Sequence, residues 1–243
     1  MLHFLRNIRK KLIEQGKKAN YFKYAIGEIF LVVIGILIAL QVNNWNEQRK
    51  ENQLSEEYIG RIAEDLDRLI ERSEYQSTLY REVLSSITET QRLLERGTPL
   101  SDTEKETVDY AILWFPRTTY QLPALLTYEE MKASGNLNLI DDITLRNELA
   151  EFYSYLLQVE NMFVRMAADT DSQFTIYNKY IKAHTHPKTL DITYTYDFDA
   201  MASDEEFINT FSRMSVHWRG FTFFMERIHG IGTGLKEEMG FED

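Results

Sequence analysis

The sequence predicts a mainly α protein: one N-terminal transmembrane helix plus an exterior antiparallel bundle of three long and two short helices. Three observations carry that expectation. An apolar run near the N-terminus is long enough to cross a bilayer, and beyond it apolar residues recur every three or four positions over long stretches. Four prolines and eleven glycines in 243 residues leave little turn chemistry for a many-stranded sheet. The bulk composition narrows the function classes. At 44% hydrophobic and 13% aromatic the chain is globular rather than disordered. A net charge of -11 argues against nucleic acid as a partner, since such binders carry a basic footprint. With no cysteine there is no disulfide framework, thiolate zinc site, iron–sulfur cluster or cysteine nucleophile.

Residues 1–20 read as a cytoplasmic basic amphipathic segment. Leu2, Phe4, Leu5, Ile8 and Leu12 recur at helical spacing with Arg6, Arg9, Lys10 and Lys11 around them, a pattern suited to an anionic leaflet. Gly16–Asn20 would break that helix before the chain turns into the bilayer.

Residues 21–46 read as the transmembrane anchor. Tyr24–Val42 is nineteen residues with one charge, Glu28. At about 1.5 Å per residue it extends about 28 Å, close to a hydrocarbon core of about 30 Å. Tyr21, Phe22 and Tyr24 flank one edge and Trp45 the other, as in interfacial aromatic belts. Seven basic residues precede the span and three follow within twenty residues, which predicts a cytoplasmic N-terminus and an exterior C-terminal part. The long basic lead-in, and Gln41, Asn43 and Asn44 where a signal peptidase needs small residues, favour an anchor over a cleaved signal. Glu28 lies one turn inside Tyr24, within reach of headgroups, and Gly35 and Ala39 form a small-xxx-small step. Together Glu28, Gly35 and Ala39 are the candidate contact with a membrane partner.

Residues 47–243 read as one exterior helical domain. Ile59, Ile62, Leu66, Leu69, Ser73, Gln76, Tyr80, Val83, Ile87, Thr90 and Leu94 alternate in threes and fours like a coiled coil, with a polar middle layer. Gly97 and Pro99 stop the first long helix, 54–96. It either continues unbroken from Asn44 or bends over Glu47–Gln53. Ser101–Glu104 is a capping box opening a short helix to Pro116. Pro123 opens another through Ser134, stopped by Gly135. Asp141 and Asp142 cap the second long helix, 143–183, on Leu145, Leu149, Phe152, Leu156, Val159, Phe163 and Met166, continuing through Thr170, Gln173, Tyr177 and Tyr180. Thr189–Phe198 alternates like a strand, with no partner strand evident. Ser203–Glu206 reads as a second capping box for the last helix, 204–238. The three long helices would pair, with both short ones over one end.

The segments Tyr24–Ile29, Val33–Leu40 and Asn43–Asn46 resemble the N-terminal signature of a bacterial family of small single-span membrane proteins catalogued only as a domain of unknown function. Thr127–Leu137 followed by Leu145–Asn147 resembles its second recurring stretch. The resemblance implies an inner-membrane anchor with a periplasmic, mostly helical domain, and implies no activity.

No motif carries chemistry. His184 and His186 before Pro187, with Asp191 nearby, lack the partners of a metal site. His217 and His229 read as packing or solvent-facing. Gly230-Ile231-Gly232-Thr233-Gly234 lacks phosphate-loop spacing and reads as a flexible helix end. Glu64, Asp65, Asp67 and Glu71 read as an exposed face. No catalytic residue, metal or cofactor is expected, and the chain is not expected to be an enzyme. The expected partners are the lipid bilayer and either other proteins or further copies of this chain. The function read from sequence is therefore a membrane-anchored periplasmic scaffold or interaction module. Two rivals stand beside it: a ligand-sensing module, and an accessory subunit of a transport or motor complex working through Glu28.

Overall fold

The computed structural model describes residues 18–97, 99–117 and 122–241. The chain divides into two compact units, Met1–Glu56 and Glu57–Asp243. The amphipathic helix expected over 2–15 lies outside the described residues, as do Gly16 and Lys17.

Helix α1, Lys18–Arg96, contributes to both units. Lys18–Asn20, expected to be a break, are already helical, consistent with the helix propensity of Lys and Ala. In the first unit no described residue covers the apolar residues of α1: Ile29, Phe30, Leu31, Ile36, Leu37 and Ile38 are all more than half exposed. This helix is long and apolar enough to cross a membrane, and the apolar window is unburied. Of the two alternatives for Glu47–Gln53, the helix continues. Glu, Gln, Arg and Lys are good helix formers, and Asn43 Nδ2 donates to Glu47 across one turn at 3.0 Å.

The second unit holds the core, from Tyr58 to Leu235. Ile62, Leu66, Leu69, Tyr80, Val83, Ile87 and Leu94 of α1 are buried, and so are the polar Ser73, Gln76 and Thr90 of the same stripe. Gly97, at φ 61°, ends the helix, donating back to Leu93 O. Helix α2, Asp102–Trp114, opens on the expected capping box: Ser101 Oγ accepts from Glu104 N, and Glu104 accepts from Ser101 N at 2.9 Å. Helix α3, Leu126–Ser134, starts later than Pro123 and is closed by Gly135 at φ 77°, followed by a 3-10 turn, Asn136–Leu139. Helix α4, Ile143–Tyr180, is capped by Asp142, whose carboxylate accepts from Thr144 N and Leu145 N.

The strand expectation is corrected. The residues beyond Tyr180 leave the helix: β1, Ile181–Thr185, pairs antiparallel with β2, Ile192–Tyr196, in register Ile181↔Tyr196 and Thr185↔Ile192. The alternating segment thus has a partner, taken from what reads in sequence as the end of the second long helix. Its expected apolar face is only half realised, because Leu190 turns the chain at φ 61° and stays exposed while Tyr194 and Tyr196 pack on the core. A short helix α5, Phe198–Ala202, follows, capped by Asp197. Helix α6, Glu205–Glu238, is capped by Asp204 alone. The expected Ser203 box does not form, because Ser203 Oγ donates to Asp199 O at the end of α5.

Helix α6 runs antiparallel to both other long helices. Along α1 its contacts descend from Asp67–Lys236 through Arg81–Glu226 to Tyr80–Trp218. Along α4 they descend from Phe163–Phe224 through Thr170–Met214 to Tyr180–Phe207. The short helices do not share one end. Phe115, just after α2, stacks on Tyr177 and touches Phe211, whereas α3 joins the opposite end through Asp65 and Tyr153. Burial pushes the Tyr80 hydroxyl up to about 12, as expected for a phenol inside this core.

Candidate interaction surfaces

In the first unit, Glu28, Gly35 and Ala39 fall on one face of α1 at about 100° per residue. Gly35 and Ala39 are exposed and Glu28 is half-buried. A Cβ added at Gly35 would meet nothing within 4 Å, so the face is open enough for a close helix–helix approach.

In the second unit, the Thr127–Leu137 stretch supplies a polar network to α1. Helix α3 has no side-chain cap of its own, since its N-cap residue is Leu125. Asp65 supplies the missing acceptor across the bundle: its Oδ2 takes the Thr127 N–H at 2.7 Å while its other oxygen pairs with Arg68. Asp65 is 2% exposed, which corrects its reading as part of a solvated acidic face. Two signals in the sequence point to it. Asp65 sits three residues after Ile62 and four before Leu69, inside the apolar stripe, and α3 begins without a capping residue. Asp67 is likewise engaged, accepting Lys236 Nζ at 2.9 Å. One to two turns before Asp65, Tyr58 Oη donates to Glu130, Asn136 Nδ2 donates to Tyr58 Oη, and Arg61 pairs with Glu130 while covering the Tyr58 ring. The Arg61 guanidinium holds the Glu130 carboxyl below its usual range. Tyr153 of α4 completes the arrangement, its ring tilted at 38° against Tyr128 and its hydroxyl donating to Glu129 at 3.0 Å. These residues tie α1, α3 and α4 together.

The histidines are placed by hydrogen bonding. His184 Nε2 meets Thr195 Oγ1 across the hairpin at 2.8 Å. His186 Nδ1 accepts from Thr189 N at 3.1 Å, so it shapes the turn. His217 lies between α4 and α6, its Nε2 3.1 Å from Asp169 and its Nδ1 3.4 Å from Thr170 Oγ1. Burial holds the His217 pKa below 6.5, with Arg213 acting the same way and Asp169 pulling upward. His229 Nδ1 sits 3.4 Å from Ile70 O. Among the described residues no group of three His, Asp or Glu converges as a metal site would. The glycine run is not a loose end: α6 passes through it, and Gly232 is buried where a Cβ would come within 3.1 Å of Ile70.

A polar groove of about 760 Å³ lies between α1 and α2, lined by Glu82, Ser85, Glu89, Glu106, Thr107 and Tyr110 among others. Glu89 is tied to Arg92 at 2.5 Å, and Arg81 at the groove edge reaches Glu226 of α6.

A family model described as a family of unknown function, DUF6090, matches residues 28–182. No curated protein and no solved structure matches the chain.

Proposed function

The chain belongs to that family of unknown function, DUF6090, and from this footing we propose that it is a single-pass inner-membrane protein displaying a periplasmic helical scaffold that binds other proteins without catalysing a reaction. The observation that carries the reading is the contrast between the two units. The α1 window before Gln41 is apolar and uncovered, whereas the second unit buries its apolar residues around Trp218, Phe221 and Ile62. Exposed apolar length near 30 Å is stable only in lipid. Charge supports the orientation. Residues 1–46 carry seven basic residues against Glu14 and Glu28, a net +5, which leaves -16 on residues 47–243. The scaffold role follows from what the polar residues of the second unit do. Asp65, Glu130, Asp204 and Glu104 are spent on caps and helix–helix ties, while the groove between α1 and α2 stays open to a partner.

A reporter that matures only in the periplasm, fused after Asp243, tests the orientation. Activity of that reporter is the expected result, and activity of a cytoplasm-only reporter at the same position overturns it.

A further inference from the structure

The solvent side of α6 differs from the acidic unit around it. Val216, Arg219, Phe223 and Arg227 recur at three- and four-residue steps and so share one face. Val216 is 66% and Phe223 53% exposed. Helix α4 extends this ridge. Its residues 163–166 lie level with 220–224, since Phe163 packs on Phe221 and Phe224, and a Cβ at Gly220 would touch Met166. Met162, 43% exposed, and Arg165 therefore flank Phe223. Asp169 on the same helix is engaged by His217 and Arg213. Exposed aromatic and aliphatic side chains set among arginines have the composition of an interface core.

The groove between α1 and α2 carries the opposite sign. Glu82, Glu89 and Glu106 line it with Arg81, Ser85, Thr107 and Tyr110; Arg81 is paired with Glu226 and Glu89 with Arg92, so Glu82 and Glu106 set its sign. The lengths agree: Val216–Arg227 and Thr78–Glu89 are both eleven residue steps of helix, about 16 Å. Ridge against ridge would set arginine on arginine, and groove against groove would set glutamate on glutamate. Ridge into groove pairs the charges and lays one helix between two others.

We propose that a second copy of this chain is the partner, its α6 ridge docking in the α1–α2 groove of the first. This deepens the scaffold reading and rests on it. The contact is heterologous, so it leaves one groove and one ridge free and propagates until a ring closes. Because the facing charges sit at an exposed rim, association weakens as salt rises.

The absence of native cysteine makes the test clean. Two tagged full-length copies, one carrying Val216→Cys and the other Ser85→Cys, are mixed in detergent and oxidised. The expected result is a heterodisulfide between the two tags, reduced at least about tenfold by Arg219→Glu with Arg227→Glu on the ridge copy. Glu82→Arg with Glu106→Arg on the groove copy should restore it. All four charged positions are on the surface, and an unchanged helical circular dichroism spectrum verifies that each variant folds. A Val216→Cys homodisulfide as the dominant product, a cross-link indifferent to charge reversal, or no cross-link overturns the proposal. A cytoplasmic reporter signal would overturn the topology and leave the cross-link standing. A periplasmic signal without the cross-link would remove this inference alone.

Discussion

Asp65 and His217 show how much a single side chain carries in this bundle. Asp65→Ala leaves the N–H of the buried Thr127 without its acceptor and Arg68 with Glu64 alone. A buried donor left unsatisfied costs about 1–3 kcal/mol. In a unit of this size each kcal/mol moves the thermal midpoint by about 2–4 °C. Thermal unfolding followed by circular dichroism should therefore place Asp65→Ala several degrees below the parent, with Asp65→Asn between them because it keeps one acceptor. Equal midpoints would show that α3 does not depend on this cap. His217 governs a different variable. Its folded pKa lies below 6.5 because it is buried, so the unfolded chain binds the proton more readily. The stability it contributes is intact above about 6.5 and is lost as pH falls through the folded value. Glu104, held down to about 2 by Arg96 and Ser101, stays ionised throughout that window, as does Asp204 beside Lys179 and Tyr180. The midpoint should drop between pH 7 and pH 5, and His217→Gln should flatten that drop. An identical slope in the variant would mean that other groups set the acid response.

At the scale of elements, the glycines of α6 separate packing from propensity. Gly232 is buried against Ile70 and Leu69, so Gly232→Leu overpacks the α1–α6 contact and should cost about 1–3 kcal/mol. Gly230 and Gly234 have nothing within 4 Å of an added Cβ, and alanine there should stabilise the helix by about 0.5–1 kcal/mol. Denaturation midpoints of the three variants should therefore move in opposite directions. A stabilising Gly232→Leu would place that turn of α6 away from α1. The same contrast explains what could be read from sequence. The stripes from Ile62 to Leu94 and from Leu145 to Tyr177 have local helical periodicity, and caps such as Asp142 and Gly135 are local chemistry, so these elements were legible. The hairpin was not. Ile181-Lys182-Ala183-His184-Thr185 is too short for its alternation to stand out from the helical stripe it follows, and it becomes a strand by pairing with Ile192–Tyr196, a contact no window spans. Asp65 was missed for a related reason, since an acid among Glu64, Asp67 and Glu71 looks solvated until the uncapped start of α3 is set against it. Glu28, Gly35 and Ala39 stand out in sequence alone as a candidate membrane contact, whereas the α6 ridge needs the arrangement of α4 beside it.

At the scale of the whole molecule, the two units make different physical demands on one chain. Among the described residues, every member of the buried core lies between Tyr58 and Leu235, within the second unit. A fragment of residues 57–243 should then fold by itself. It should keep a mainly helical spectrum and unfold in one cooperative transition, because a bundle of this size has core enough to be stable alone. It should also stay in solution when mixed with liposomes and floated on a density gradient, while the full chain rises with the lipid. The reason is again the uncovered window of α1, whose transfer from water to hydrocarbon is favoured by about 25 cal/mol for each Å² of apolar surface. The fragment also carries most of the acidic excess, which keeps it off anionic vesicles. A fragment that fails to fold would show that the proximal part of α1 is needed for the core. A fragment that floats would place the membrane-binding surface in the bundle and remove the reason for assigning it to the span.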